Sequence, residues 1–408
     1  MRILHTSDWH LGKVFHEYSL CEDQRVVLSQ ILVALKNAED EGRPYSALLV
    51  SGDIYDRAVP PAEAAEMLDG FLTEASGTFP YLHIFMISGN HDSAARLSFA
   101  SSFLEKHNIH LATDTKSFLE PVVLEKDGEK VAFYQLPFLH PGSVRPAQSG
   151  GNPEKILRGQ EELFREASGQ IINHHKEKLG DIPAVLNAHL FTLGSLHGSS
   201  ERSNIGTAEQ VDVSIFKDFA YGAFGHIHKF QSCGKSHRCY YPGSLLPYNF
   251  DDEPESGMLD VEIKGAGEAP LVKRILFNPA HRIATLEGKF SDFVSEDKNR
   301  ETVEKHRNDF LQIILTDEAS PREPFARLKK IFPNLLLLSS RTRTASAENI
   351  SIRKRREAVR SNDFKQIFGQ FLSDVYGEER SGSELLEEEK ELFRKEALEM
   401  ERNAENEK

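Results

Sequence analysis

Five short segments of this sequence combine aspartate, asparagine and histidine in patterns that suit metal binding. They supply seven candidate ligands, which are Asp8, His10, Asp53, Asn90, His189, His226 and His228. Such side chains are ligands of intermediate hardness, suited to Mn²⁺, Fe²⁺ or Zn²⁺. The set contains no cysteine, which argues against a structural zinc site. Residues two apart on an extended segment point to the same side, so Asp8 with His10, and His226 with His228, are expected to face one site.

The chemistry expected of this set is metal-dependent hydrolysis of phosphate esters. Two ions about 3.5–4 Å apart can hold a phosphate between them and lower the pKa of a bound water. Asp53 is the candidate bridge between the ions, because a carboxylate has two oxygens. Gly52 and Gly89 precede two of the ligands and permit tight turns and close backbone approach. Each motif alone is weak evidence for a metal site. Their joint occurrence at the ends of successive predicted strands is much stronger evidence.

The segments recur at the ends of predicted strands. Apolar runs at residues 2–7, 47–51 and 82–88 read as buried strands, with helical periodicity at about 19–40 and 60–72 between them. Further short strands are predicted at 131–136, 184–188, 220–225 and 271–277. A helix is predicted near 154–178, after a loop at 141–153 that is rich in Pro, Gly and Ser. Open α/β sheets place their ligands at the carboxyl ends of strands, where these polar residues lie.

Composition limits the protein class. The chain has 408 residues, enough for two or three domains, and a net charge of −14, which argues against attraction of nucleic acid to the whole surface. No apolar run reaches a membrane-spanning length and no signal-peptide pattern is present, so a cytoplasmic location is expected. The three cysteines are expected to be buried thiols, with a Cys233–Cys239 pair across a hairpin as the less favoured reading.

Several motifs give the sequence a family resemblance. They are residues 5–12 (HTSDWHLG), 52–56 (GDIYD), 89–93 (GNHDS), 225–228 (GHIH) and 243–247 (GSLLP). With these the chain resembles the calcineurin-like metallophosphoesterase superfamily and, within it, the SbcD family of bacterial nucleases, over about residues 1–340. The resemblance implies an α/β fold class: a β-sandwich flanked by helices, a small α/β capping domain and a C-terminal helical segment.

The resemblance also implies roles for single residues. One ion would be held by Asp8, His10, Asp53 and His228. The other would be held by Asp53, Asn90, His189 and His226. His91 would be a catalytic residue that contacts the scissile phosphate or protonates the leaving oxygen, and Asp92 would orient it. Distant relatives carry a further histidine where this chain has Asp56, which leaves open how the leaving group is assisted.

The same resemblance implies three domains and a partner. Residues 1–280 would form the nuclease domain, 281–345 the capping domain, and 346–408 a basic linker with C-terminal helices. Within the cap, the pattern predicts helices near 290–307 and 321–332 and strands at 310–315 and 335–338. An apolar stripe in the tail would bind a coiled-coil ATPase of the SbcC type through Phe364, Ile367, Phe368, Phe371, Leu372 and Val375. The alternative for the stripe is that it packs on the capping domain of the same chain. For the basic run Arg353–Arg356, the two alternatives are contact with DNA and a solvated linker.

The expected activity is double-strand exonuclease and single-strand endonuclease, with two Mn²⁺ ions preferred and gating by ATP on the partner. No Walker-type loop is present in this chain, so ATP would bind the partner. DNA ends and hairpins would be the substrates of a homodimer of nuclease subunits within a heterotetramer. One alternative is a phosphatase or phosphodiesterase of the same superfamily acting on small phosphoesters. The other is a scaffold with a vestigial site, which the complete ligand set argues against.

Overall fold

A computed structural model describes residues 1–147, 156–195, 210–317 and 321–341. In chain order its strands are β1 (Arg2–Thr6), β2 (Val14–Phe15), β3 (Tyr18–Ser19), β4 (Ala47–Val50), β5 (His83–Ile87), β6 (Ile109–Ala112), β7 (Val122–Lys126), β8 (Glu129–Leu136), β9 (Ala184–His189), β10 (Phe191–Thr192), β11 (Gln210–Val211), β12 (Tyr221–Gly225), β13 (Gln231–Cys233), β14 (Cys239–Tyr241), β15 (Gly257–Glu262), β16 (Leu271–Leu276), β17 (Ile283–Gly288), β18 (Phe310–Leu315) and β19 (Leu335–Ser340). The helices are α1 (Cys21–Asp40), α2 (Ala62–Thr78), α3 (Ala94–Leu97), α4 (Ser101–Leu104), α5 (Gln160–Lys178), α6 (Phe290–Val294), α7 (Glu296–Lys305) and α8 (Pro324–Ile331).

Two six-stranded mixed sheets carry the fold. The first has the order β16-β15-β1-β4-β5-β6, and β1, β4, β5 and β6 run parallel. The second has the order β13-β14-β12-β9-β8-β7, and β14, β12, β9 and β8 run parallel. In the first sheet β15 runs antiparallel to β1, and β16 runs antiparallel to β15. In the second sheet the edge strands β13 and β7 run antiparallel to β14 and β8.

The two sheets pack face to face through an apolar layer. Ile3, Leu49 and Phe85 of the first sheet share a buried cluster with Phe133 and Ala223 of the second. The rings of Phe85 and Phe133 stack with centroids 4.8 Å apart. The outer face of the first sheet is covered by α1 and α2, and that of the second by α5, each through its own apolar cluster. The result is the helix-flanked β-sandwich that the resemblance implied.

Most predicted elements are present, with shifted ends. The helix predicted at 60–72 continues to Thr78, because Phe71 and Ala75 keep its apolar face buried until the chain reaches Pro80. The helix predicted at 290–307 is two helices, α6 and α7, separated at Ser295. The strand β15 was not predicted, although it pairs antiparallel with β1. Among the described helices none is long and apolar enough to cross a membrane.

The chain divides into two compact units. The first consists of Met1–Glu287, Ser291–Ile314 and Phe325–Ser339, and the second of Gly288–Phe290, Leu315–Pro324 and Ser340–Lys408. Within the second unit the amide of Thr316 donates to the carbonyl of Gly288 at 3.0 Å, and that of Arg341 to Leu315 at 2.8 Å. The expected domain boundaries after residues 280 and 345 stay predictions.

The three cysteines are free and buried. Cys233 and Cys239 are direct register partners across the antiparallel β13–β14 pair, so the predicted hairpin is confirmed while the favoured reading of buried thiols holds.

Candidate metal centre

The seven candidate ligands converge at the carboxyl ends of parallel strands from both sheets. Asp8, Asp53 and Asn90 follow β1, β4 and β5 of the first sheet. His189 ends β9, and His226 and His228 follow β12, in the second sheet. The two sheets therefore contribute candidate ligands to one site, at the carboxyl ends of strands where the sequence predicted them.

The loops that carry these ligands have unusual backbone conformations. Asp8, His10, Asp53 and His226 have positive φ angles of 50°, 44°, 46° and 101°. Non-glycine residues in this region carry strain of about 1–3 kcal/mol each, and such residues cluster at functional sites. The loops after β1 and β4 are held together by the amide of Asp8, which donates to Gly52 at 3.1 Å, and that of His10, which donates to Asp53 at 2.9 Å.

One ligand cluster consists of Asp8, His10 and His228, whose ligand atoms all lie within 4.8 Å of one another. The Nε2 atoms of His10 and His228 are 3.1 Å apart. Two ligand atoms about 2.1 Å from one ion, at angles between octahedral and tetrahedral, lie about 3.0–3.4 Å from each other. The carboxylate of Asp8 is fixed by the amide of His226, at 3.0 and 3.1 Å from its two oxygens, and by the hydroxyl of Ser7 at 2.5 Å.

The second cluster consists of Asp53, His189 and His226, with Asn90 among them. The Oδ1 of Asn90 lies 3.0 Å from His189 Nε2 and 2.9 Å from His226 Nδ1. The two imidazole nitrogens are 3.3 Å apart. These separations also match those of ligands sharing one ion of this size. The donor set fits a divalent cation in both clusters.

Asp53 faces both clusters. Its Oδ2 lies 3.7 Å from His10 Nε2 and 3.4 Å from His189 Nε2. Its Oδ1 accepts a hydrogen bond from the amide of His91 at 2.9 Å. The geometry therefore supports the predicted bridging position of this carboxylate.

Burial and charge set the protonation of these groups. Burial lowers the pKa of His226 and His228 to about 3 and that of His10 well below its usual value, so all three are neutral. Burial would also lower the pKa of His189, but the charge of Asp53 together with that of Asp8 raises it to about 9. Burial raises the pKa of Asp8 to about 7. Neutral imidazoles with free lone pairs are the form that binds a metal ion.

A series of buried hydrogen bonds holds the His189 ring in place on the side away from its Nε2 atom. Its Nδ1 donates to the carbonyl of Ser51 at 2.8 Å, which leaves Nε2 free for an ion. The hydroxyl of Ser51 lies 2.9 Å from His5 Nε2 and 2.7 Å from Asn187 Oδ1, and His5 Nδ1 lies 2.8 Å from the Tyr221 hydroxyl. Burial lowers the pKa of His5 to about 3, so this ring is neutral. Sequence reasoning missed the role of His5, although a polar residue inside an apolar strand was a visible signal.

The surroundings of His91 differ from the expectation in one respect. Its Nδ1 lies 2.9 Å from the carbonyl oxygen of Asp56, so Asp56 orients the ring. Asp92 was expected to orient it, but its carboxylate instead accepts three backbone amides, from Ile54, Tyr55 and Gly89, at 3.0, 2.8 and 2.9 Å. Asp92 thus ties the loop after β4 to the loop after β5. The expectation that Asp92 orients His91 is therefore wrong, and sequence spacing could not show this because two of its donors, Ile54 and Tyr55, belong to another loop.

Tyr248 is a further site residue that sequence reasoning did not single out. Its ring packs against His10 and His228 with centroids 5.4 and 5.8 Å away. Its hydroxyl donates to the carbonyl of Trp9 at 2.5 Å. The turn-rich segment that contains it was visible in the sequence. The predicted tail stripe Phe364–Val375 and the basic run Arg353–Arg356 lie outside the described residues.

Comparisons with known proteins agree with this geometry. Residues 1–230 match the calcineurin-like phosphoesterase family, and residues 279–376 match the family described as type 5 capsule protein repressor C-terminal domain. A Staphylococcus saprophyticus subsp. saprophyticus protein, named as the SbcD subunit of nuclease SbcCD, is 30% identical over 382 residues, covering 91% of this chain and 95% of that protein. A Staphylococcus epidermidis protein of the same name is 29% identical over 388 residues, covering 92% and 96%. The chain therefore belongs to the calcineurin-like phosphoesterase family, in the branch formed by the SbcD subunits of SbcCD nucleases.

Proposed function

We propose that this chain is the nuclease subunit of an SbcCD-type complex and hydrolyses DNA phosphodiesters with two divalent metal ions. The observation that carries the proposal is the pair of ligand clusters joined by Asp53. Support comes from the relatives named as SbcD subunits of nuclease SbcCD, which match almost the full length of this chain. The mixed nitrogen and oxygen donors suit Mn²⁺, which we propose as the working ion.

In this proposal the two ligand clusters would hold the ions, which when bound would stabilise negative charge on the phosphoryl oxygens and lower the pKa of a water. The protein's own residues hold the substrate and move the proton. His91 donates its Nδ1 hydrogen to Asp56, so its Nε2 is the atom available to the substrate. With both ring nitrogens protonated, His91 would contact the scissile phosphate through Nε2–H and give that proton to the leaving oxygen, which leaves the neutral ring.

The test is a Mn²⁺-dependent nuclease assay on blunt and hairpin DNA with the His91→Asn variant. Cleavage should fall at least about 100-fold, because general acid catalysis contributes about 10²–10⁴-fold. Bound metal, measured by elemental analysis, should stay at the wild-type level since His91 is not in the ligand set. His237→Asn, at an exposed position, is the matched control. Loss of metal from His91→Asn would show that His91 is a ligand.

The alternative is an enzyme of the same family acting on small phosphoesters. The wild-type protein with Mn²⁺ would then hydrolyse bis-p-nitrophenyl phosphate and leave every DNA substrate intact. Cleavage of DNA would exclude this alternative. A chain that binds no Mn²⁺ at saturating concentration would exclude both enzymes and favour a scaffold.

The proposed binding of an ATPase partner depends on the C-terminal segment, residues 361–408. We propose that the stripe Phe364–Val375 binds an SbcC-type coiled-coil ATPase, that two nuclease subunits pair within the complex, and that the complex acts on DNA ends and hairpins in the cytoplasm. The family match over 279–376 includes the stripe. Deleting residues 361–408 should abolish co-purification with the ATPase while Mn²⁺-dependent cleavage by the subunit alone persists. Co-purification of the truncated chain would refute this role and favour packing of the stripe on the cap.

A further inference from the structure

Lys13 places a positive charge at the edge of the metal centre. Its Nζ donates to Asp56 Oδ1 at 2.7 Å. The same carboxylate oxygen lies 3.7 Å from the Nδ1 of His10, a metal-ligand candidate. The Lys13 side chain keeps 25% exposure and that of Asp56 15%, so the ammonium group is held but reachable from solvent.

A second set of contacts fixes the same group. The ammonium lies 5.7 Å from the centroid of the Tyr248 ring, and that ring also packs against His10 and His228. The backbone of Lys13 is anchored as well, because its amide donates to His10 at 3.0 Å and its carbonyl accepts from Leu20 at 3.0 Å. Lys13 therefore has a defined position relative to one of the two ligand clusters.

This ion pair has little to contribute to folding. Partly exposed ion pairs contribute little to stability, because solvent screens their attraction. Its position matters more for anion binding, since Asp56 without Lys13 would add a negative charge beside a site for phosphate. With a net charge of −14, the chain also needs local positive charge where a polyanion is to approach.

We propose that Lys13, held in place by Asp56, binds a phosphate of the DNA backbone next to the scissile phosphate. Lys13 then favours a polynucleotide over a small phosphoester, because a small diester has no second phosphate to offer. Asp56 acts as a positioning residue through two atoms: its carboxylate holds Lys13 and its carbonyl orients His91. This inference rests on the proposed nuclease function and names how that site recognises its substrate.

The experiment compares Lys13→Met with wild type in the full chain with Mn²⁺. KM for a DNA duplex should rise about tenfold, as expected for loss of one charge-assisted contact. The loss of kcat/KM on DNA should exceed that on bis-p-nitrophenyl phosphate by about tenfold. Equilibrium DNA binding in a salt titration should show a slope of log K against log salt that is smaller by about 0.7–0.9. Lys13→Arg should restore most of the DNA affinity.

Lys36→Met is the matched control. Lys36 is also an ion-paired lysine, 2.9 Å from Glu39 and from Asp40, and lies on α1, so its replacement removes the same charge from another part of the surface. The control should leave KM for DNA and the salt slope at wild-type values. Equal losses on DNA and small diester in Lys13→Met, loss of bound Mn²⁺, or an unchanged salt slope would each overturn the inference.

Assays of the wild-type protein on DNA and on the small diester test the proposed function separately from this inference. A wild-type chain that hydrolyses the small diester but neither binds nor cleaves DNA would overturn the nuclease proposal, and this inference with it. Wild-type DNA cleavage together with an unaltered Lys13→Met variant would overturn the inference alone.

Discussion

At the scale of single residues, the buried imidazoles of the site fall into two classes by their pKa. His226 and His228 are neutral down to about pH 3, because burial disfavours their charged forms. His189 differs, because the charge of Asp53 at 3.4 Å outweighs burial and raises its pKa to about 9. In the absence of a cation, the proton on His189 offsets part of the negative charge of Asp53 and Asp8. A metal ion that binds here must displace that proton.

We predict that the affinity of the site for Mn²⁺ rises with pH. Below a pKa of about 9 His189 is protonated, so binding releases a proton and the affinity should rise up to about tenfold per pH unit from about pH 7 to about pH 9. Calorimetry in two buffers of different ionisation enthalpy would count the protons released. His91→Asn should show the same pH dependence because the proposed ligand set does not include His91. A pH-independent affinity over this range would contradict the assignment of His189 as a ligand.

The role of a residue could be predicted when it followed from the local sequence, and could not when it depended on hydrogen-bond partners that are distant in the sequence. The seven ligands were found from residue type and from their place after apolar runs, and the structure brings all of them together. The hydrogen-bond partners of Asp92 were not predictable, because two of its three donors, Ile54 and Tyr55, belong to a loop that meets it only in the fold. The same holds for His5, whose partners Ser51 and Tyr221 are on other strands.

At the scale of elements, the site depends on close approach of strand ends. A Cβ on Gly89 would lie 2.0 Å from Asp53 Oδ1 and 2.4 Å from the Asp53 amide nitrogen. A Cβ on Gly225 would lie 1.7 Å from the carbonyl oxygen of Ser51, which accepts the hydrogen bond from His189. Glycine is therefore required here for space between β4, β5 and β12, and not only for a turn.

The comparison of two glycines tests this requirement. Gly89→Ala should lower the free energy of unfolding by about 1–3 kcal/mol, as overpacking does, and weaken Mn²⁺ binding more than about tenfold because Asp53 must move. Gly70→Ala, within α2 and with nothing within 4 Å of its added Cβ, should instead stabilise the protein by about 0.5–1 kcal/mol. Denaturant unfolding with and without Mn²⁺ measures both effects. Wild-type metal affinity in Gly89→Ala would contradict the packing argument.

The order of elements was more accessible to sequence reasoning than their pairing. The alternation of apolar runs and helical periodicity predicted β1, α1, β4, α2 and β5 to within a few residues, apart from the late end of α2. Local pattern contains no information that β15, some 250 residues after β1, pairs beside it. The division into two sheets came from the family resemblance, since strand periodicity alone does not assign a strand to a sheet.

At the scale of the whole molecule, the chain has a net charge of −14, and its described residues include several exposed large apolar side chains. Phe99 and Phe103 are 83% and 62% exposed and lie on α4 and the segment before it, a few residues after His91. Contiguous exposed apolar patches on a protein surface mark sites of interaction with other proteins. We take a second copy of this chain as the occupant, in keeping with the proposed pair of nuclease subunits.

The final prediction concerns this aromatic pair. Wild-type protein should sediment as a dimer, and Phe99→Ser with Phe103→Ser should sediment as a monomer, because removal of both rings takes away much of the apolar area that association would bury. Val33→Ser, at an apolar side chain on α1 that is 55% exposed, is the matched control and should remain dimeric. Hydrolysis of bis-p-nitrophenyl phosphate should persist in the double variant, since neither ring contributes a ligand. Cleavage of duplex DNA ends should fall if both subunits bind the same DNA molecule. A double variant that still sediments as a dimer would place the contact between subunits elsewhere on the molecule.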